Sequence, residues 1–358
     1  MSCNAQLHCA QSRDPMSTSL DAFDRGLTLW IFLAMAVGIA LGVFAPGVGE
    51  ALGAATVRGV NIPIAIGLLA MLVPPLARVD YAALPGMFRN PKMLAASLLL
   101  NWVVGPMLMF GLATWLLPDR PDLFAGVVLI GIARCIAMVL VWNDLAGGDR
   151  EFAAGLVALN SVFQVVAFPS LAWLYLSVLP GAFGVATTEI AVPYRLVAES
   201  VALYLGVPFL VGGVGRWIYI RRFSEARFTT DVLPRLRYVT PVALLLTIVA
   251  MFSMKGGDVV TLPLDVVRVA LPLLLYFAAM WAVAFAAGRL LGADDATTKA
   301  VAFTAAGNNF ELAIAVAVAV FGLASPQAFA GVVGPLIEVP ALIGLVAVSR
   351  RIGPKAAR

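Results

Sequence analysis

Charge is scarce in this chain: Asp, Glu, Lys and Arg together fill 12% of 358 positions, about half the share found in a soluble domain. Histidine occurs once, as His8, and cysteine three times, as Cys3, Cys9 and Cys135. Each shortage narrows the function. A soluble fold of this size cannot hide the apolar surface that so little charge leaves. One histidine near the N-terminus argues against a His-ligated metal centre inside the apolar segments, and three cysteines give no disulfide framework. Those segments hold no Asp-rich metal cluster and no nucleophile-elbow pattern, and their loops are too short for an active-site domain, so an enzyme is not expected. Basic residues sit in loops between apolar blocks, which sets nucleic acid aside as a partner. No cofactor is called for.

What is abundant is apolar: 61% of positions, with a mean hydropathy of +0.96. A spanning helix needs about 20 mostly apolar residues. Ten blocks qualify: Leu27–Phe44, Val60–Ala77, Met93–Leu117, Leu123–Trp142, Phe152–Leu179, Ala198–Ile218, Tyr238–Phe252, Val266–Leu291, Ala300–Phe321 and Ala328–Val348. The expected fold class is an all-α polytopic membrane protein of ten transmembrane helices. Residues 27–348 form the membrane domain, between an N-terminal tail (1–26) and a C-terminal tail (349–358). The N-terminal tail is polar and precedes any apolar region, so it does not read as a cleaved signal. Its Cys3, His8 and Cys9 could together trap a soft metal, but an untethered tail is the plainer reading. With ten spans, 18 of the 24 Lys and Arg residues fall on the side that holds both termini and 5 on the other. The positive-inside rule then places both termini in the cytoplasm of a cell (inner) membrane protein.

A regularity at a constant offset of 176 residues divides the domain. Gly131–Ala137 aligns with Gly307–Ala313, and Ala154–Val157 with Ala330–Val333, pairing span four with nine and span five with ten. Five spans per repeat is odd, so the repeats (about 27–180 and 196–348) must be inverted. Inverted repeats whose discontinuous helices, here four and nine, cross near the midplane are a transporter architecture.

The spans are nearly free of charge, so the exceptions carry information: Arg134 in span four, Glu311 in span nine and Glu338 in span ten. An ionisable group at membrane depth costs about 2.5–3.5 kcal/mol on insertion scales and is a functional candidate by default. The competing reading is an ion pair of Arg134 with Glu311 or Glu338 that pins two helices. Gly131 and Gly307-Asn308-Asn309 stand where they weaken a helix, and unwound backbone is tolerated there only if it lines a cavity. Pro335 and Pro340 bracket Glu338 and loosen its helix. Asn160, Ser161 and Gln164 add neutral hydrogen-bonding groups, whose alternative is interhelical glue. Cys135 alone would be a small hydrophobe. Beside Arg134, which favours thiolate, and at a helix break, it becomes a soft ligand for a thiophilic centre such as trivalent arsenic or antimony.

Several stretches resemble the arsenical-resistance-3 arsenite efflux permeases of the bile acid:sodium symporter superfamily. They are Ile62–Ala77, Asn101–Phe110, Gly131–Asp149 (GIARCIAMVLVWNDLAGGD), Ala158–Val165, Phe303–Ala317 (FTAAGNNFELAIAVA) and Gly334–Leu342. Val73 departs from the pattern, which often has an aromatic before Pro74-Pro75. The resemblance implies a ten-span inverted-repeat fold, arsenite export by proton exchange, and essential residues at Cys135 and Glu338. It also implies that Asn308, Asn309 and Glu311 belong to the crossing helices. Joined to the residues, it gives an expected site: Cys135, Asn308, Asn309, Asn160 and Gln164 for substrate, with Cys135 as the arsenic ligand, and Glu338, Arg134 and Glu311 for proton coupling. Arsenite and protons are then the transported species, and lipid is the surrounding partner. The nearest rival is a sodium-coupled organic-anion symporter.

Overall fold

The computed structural model describes residues 27–57, 60–79, 90–136, 138–183, 194–236, 238–261, 263–322 and 325–352. Cys3, His8 and Cys9 lie outside the described residues. Apart from a two-residue hairpin, β1 (Thr56–Val57) antiparallel to β2 (Val60–Asn61), the regular structure is helical. In chain order the helices are α1 (Leu27–Phe44), α2 (Pro46–Ala54) and α3 (Ile62–Arg78), α4 (Pro91–Leu116), α5 (Pro121–Ile132) and α6 (Val139–Ala146). Then come α7 (Arg150–Ala182) and α8 (Tyr194–Arg222), α9 over residues 225–236, α10 (Val239–Thr261), α11 (Pro263–Leu290), α12 (Asp295–Ala306), α13 (Phe310–Phe321) and α14 (Pro326–Ile352).

Local chemistry sets these boundaries. Asn61 caps α3 through Ile64 N (3.2 Å), Asn90 caps α4 through Met93 N (3.3 Å), Asp149 caps α7 through Phe152 N (3.0 Å) and Asp294 caps α12 through Thr297 N (2.6 Å). Each side-chain oxygen accepts from an amide that the first helical turn leaves without a partner. Proline opens α2, α4 and α5, where its missing N–H costs nothing. Gly147 ends α6 at φ 73°, a left-handed conformation that a glycine adopts without strain. One-residue widenings interrupt α4 at Leu100–Val104, α7 at Leu174–Val178 and α8 at Ala202–Gly206 and Leu210–Val214. Such bulges let a long helix swerve around its neighbours.

Among the described residues six helices are long and apolar enough to cross a membrane, and seven if α1 and α2, which meet at 97°, count as one bent span. Large apolar side chains such as Phe32, Ile66, Met107, Trp115, Val166, Leu210 and Leu246 point outward and exposed. In water that surface would be a liability; in lipid it is the expected exterior. The chain is a multi-pass membrane protein. The expected spans four and nine are each split into two short helices, α5/α6 and α12/α13, which is why neither counts as one long span. The last helix runs to Ile352, four residues past the expected end of the membrane domain.

The helices sort into two groups by packing. α1, α3, α10 and the second half of α8 lie against one another; α4, α5, α6, α7, α11, α12, α13 and α14 form the larger group. α3 touches α13, α1 touches α14, and the first half of α8 packs on α7 and α13, which joins the groups.

Candidate functional site

The two split helices meet at their breaks. Past Ile132 the backbone turns extended at Ala133 (φ −86°, ψ 117°), and past Ala306 it does so at Gly307 (φ −73°, ψ 144°). The two extended stretches run antiparallel with Arg134 opposite Asn308. Cys135 N donates to Gly307 O (3.3 Å), and Asn309 N donates to Ala133 O (3.1 Å). Backbone groups freed by unwinding are thus largely satisfied by the other break, as burial demands.

Both asparagines serve this crossing. Asn309 accepts from Leu312 N (3.0 Å) and caps α13. The Asn308 side-chain amide donates to Ile130 O (2.8 Å) and Ala133 O (3.2 Å), closing the C-terminal end of α5. Its Oδ1 is buried with no partner among the described residues, and its backbone N–H donates to Glu338 Oε1 (3.2 Å), which ties α14 to the crossing.

A small cavity, about 20 Å³, opens on one side of the crossing, lined by Cys135, Ile136, Met138, Asn308, Glu311 and Glu338 and closed by Met71, Leu72 and Pro75 of α3. Four expected site residues, Cys135, Asn308, Glu311 and Glu338, therefore share one cavity between the two helix groups. Cys135 and Glu338 are each only 4% exposed. The wall supplied by α3 was not expected. Methionine, leucine and proline carry no chemical signature, and the consecutive Pro74-Pro75 inside an apolar block was the one available hint.

The remaining expected residues lie elsewhere around the crossing. Gln164 Oε1 accepts from Arg134 N (2.5 Å), and Asn160 Oδ1 accepts from Trp102 Nε1 (3.1 Å), so α7 braces the first break and α4. Neither residue lines the cavity. The guanidinium of Arg134 donates to Tyr276 Oη (2.8 Å), to Ala305 O (3.2 Å) and to Gly131 O. The ion pair with Glu311 or Glu338 that the sequence left open is absent: no carboxylate among the described residues lies within ion-pair range of Arg134. Nor does the guanidinium share a pocket with the Cys135 thiol. Successive side chains of an extended backbone point to opposite faces, and here Arg134 turns towards α11 while Cys135 turns into the cavity.

The spacing between the two breaks also differs from expectation. α5 and α12 begin at 121 and 295 and end at 132 and 306, an offset of 174 residues. That register equates Arg134 with Asn308 and Cys135 with Asn309, rather than Cys135 with Glu311. The 176-residue spacing returns at Arg150 and Pro326, where α7 and α14 begin, so the second connection is two residues longer.

Residues 65–262 match the sodium bile acid symporter family. The chain is 47% identical over 332 residues to the arsenical-resistance protein Acr3 of Corynebacterium glutamicum, covering 93% of this chain and 90% of that one. It is 31% identical over 339 residues to the Acr3 protein of Alkaliphilus metalliredigens, covering 92% of each. An uncharacterised transporter of Synechocystis is 32% identical over 352 residues, covering 93% and 90%. With its long apolar helices and this identity along nearly its whole length, the chain belongs to the sodium bile acid symporter family and, within it, to the Acr3 arsenical-resistance transporters.

Proposed function

We propose that this chain exports arsenite from the cytoplasm in exchange for protons. It would do so as a ten-span protein of two inverted five-helix repeats in the cell membrane, with both termini cytoplasmic. The observation that carries the reading is one cavity at the boundary between two helix groups, lined by Cys135, Asn308, Glu311 and Glu338 and by α3, with Asn308 Oδ1 buried and without a partner among the described residues.

Arsenite near neutral pH is chiefly neutral arsenous acid. Capture at Cys135 forms an As–S bond and breaks an As–OH bond, and the hydroxyl leaves as water with the thiol proton. A soft thiol selects a soft centre, and Asn308 Oδ1 accepts from a remaining As–OH. Release towards the outside reverses the exchange. A proton entering from that side takes a carboxylate of the same cavity, Glu338 in the first place and Glu311 beside it. The proton and arsenite thus occupy the cavity in turn. The α3 wall and the crossing belong to different packing groups, so rocking of one against the other exposes the cavity to each side alternately.

The test is arsenite uptake into everted membrane vesicles. An imposed proton gradient should drive uptake and an uncoupler should abolish it. Sodium-dependent uptake of an organic anion, indifferent to arsenite, would establish the symporter reading instead. Reporter fusions at Phe223 and at the C-terminus should both read cytoplasmic; a reading on the other side for either one refutes the topology.

A further inference from the structure

Arg134 is fully buried and bonded to no carboxylate, yet a guanidinium is always charged. Leaving such a charge without a counter-charge inside a membrane is prohibitive. The counter-charge lies in the backbone. Gly131 O belongs to the last turn of α5 and Ala305 O to the last turn of α12, and the guanidinium donates to both. A helix C-terminus carries about half a negative elementary charge, so two converging termini carry about one. One guanidinium balances them. Tyr276 Oη supplies a third oxygen at 2.8 Å. Gly105 leaves the room required, since a Cβ there would stand 2.9 Å from Nη1 and 3.1 Å from Tyr276 Oη.

Two backbone carbonyls at half-helix C-termini and a hydroxyl form the oxygen environment in which secondary transporters hold a mobile coupling cation. Here a side chain fills it. We propose that Arg134 is a tethered cation that permanently occupies the carbonyl-lined locus between the ends of α5 and α12. The transporter therefore runs without a metal cation, and a small monovalent cation can enter the locus once the guanidinium is removed. Arg134 is then a positioning residue that holds the crossing together, not a partner of Glu338 in moving protons. Only the transport arm of the test below rests on the arsenite/proton reading.

The test uses the full chain, wild type and Arg134→Ala, in everted vesicles and as purified protein. Wild-type arsenite uptake under a proton gradient should be equal in sodium and in choline medium. Arg134→Ala should be near background in choline and recover severalfold in millimolar guanidinium or in sodium. Its melting temperature in detergent should rise saturably with the same cations, as ligand linkage requires, while the wild type does not respond. Sodium dependence of the wild type, full activity of Arg134→Ala in choline, or an inserted Arg134→Ala that gains neither activity nor stability from any of these cations would each overturn the proposal. If Arg134→Ala does not accumulate, Arg134→Lys decides: it keeps the tethered charge and should transport in choline, and an inserted but inactive Arg134→Lys counts against the idea. Wild-type vesicles that move no arsenite would refute the transport reading and leave the melting comparison to judge this one.

Discussion

The two split helices have the same outline and different chemistry. In the second, asparagines do the joining: Asn309 caps its own α13, and Asn308 reaches across to the end of α5. In the first, the corresponding positions hold Arg134 and Cys135, and α6 starts at Val139 with no side-chain cap on its first turn. One break supplies neutral amides, Asn309 as scaffolding and Asn308 also at the cavity wall, and the other supplies a charge and a nucleophile, delivered to opposite faces by an extended backbone. The crossing is therefore polarised. Helix C-termini and a guanidinium lie on one side; a thiol and two carboxylates lie on the other. Division of labour between the two breaks lets two split helices of the same outline carry an asymmetric site.

If that division is right, the largest effect belongs to the thiol. Cys135→Ser keeps size and polarity but replaces a soft ligand with a hard one. Arsenite export should fall to the level of cells lacking the transporter, while insertion and expression stay normal; transport at the wild-type rate would remove thiol capture from the mechanism. Glu338→Gln comes next. It keeps shape and one hydrogen-bond acceptor for Asn308 N but cannot take a proton, so the protein should bind arsenite and fail to exchange it. Glu338→Asp, about one methylene shorter, should retain partial activity with a shifted pH profile. Arg134 does not pair with this carboxylate, so Glu338→Gln should accumulate normally, and adding Arg134→Gln should rescue nothing. Poor accumulation rescued by that second change would restore the ion-pair reading.

Much of this arrangement was legible beforehand, for physical reasons that vary by residue. Apolar blocks and turn residues marked the spans because lipid tolerates little else. Gly131 and Gly307-Asn308-Asn309 marked the breaks because glycine and asparagine are poor helix formers. The side on which each break presents its residues was hidden. Arg134 and Cys135 are neighbours in sequence, and whether they share a face depends on the break being extended rather than a helical kink. The register at the crossing slipped by two residues because a gapless alignment follows the longer, Ala- and Val-rich helices and not the connection between them. Tyr276 was missed for another reason: a single tyrosine in an apolar span reads as packing until its hydroxyl has a partner.

Two glycines sharpen the contrast from either side of the crossing. A Cβ on Gly307 would stand 3.0 Å from Cys135 Cβ, and one on Gly105 would stand 2.9 Å from Arg134 Nη1. Gly307→Ala should displace the thiol and weaken arsenite binding more than it lowers the melting temperature. Gly105→Ala should press on the guanidinium and lower the melting temperature more than it weakens arsenite binding. The pair is read by arsenite affinity and thermal unfolding of the same preparations. Equal effects of both kinds from both variants would mean that the crossing is one packed unit without two functional faces.

The smallest expected effect tests the scaffolding half alone. Asn309 lines no part of the cavity; it donates its backbone N–H to Ala133 O and caps α13 through Leu312 N. Asn309→Ala keeps the backbone bond and removes the cap, a loss of about 1 kcal/mol for a helix N-terminus. Burial raises that figure somewhat, because Leu312 N is left without an acceptor where water is scarce. The fold should survive, with a lower melting temperature and a modest loss of transport. Asn309→Asp should recover the cap, since a carboxylate accepts at a helix N-terminus as well as an amide does, at the cost of a further charge near Glu311 and Glu338. Restored stability with impaired proton-driven uptake is therefore the expected signature of Asn309→Asp. If Asn309→Ala instead abolishes arsenite binding while leaving stability untouched, Asn309 carries recognition beside Asn308, and its reading as scaffolding is wrong.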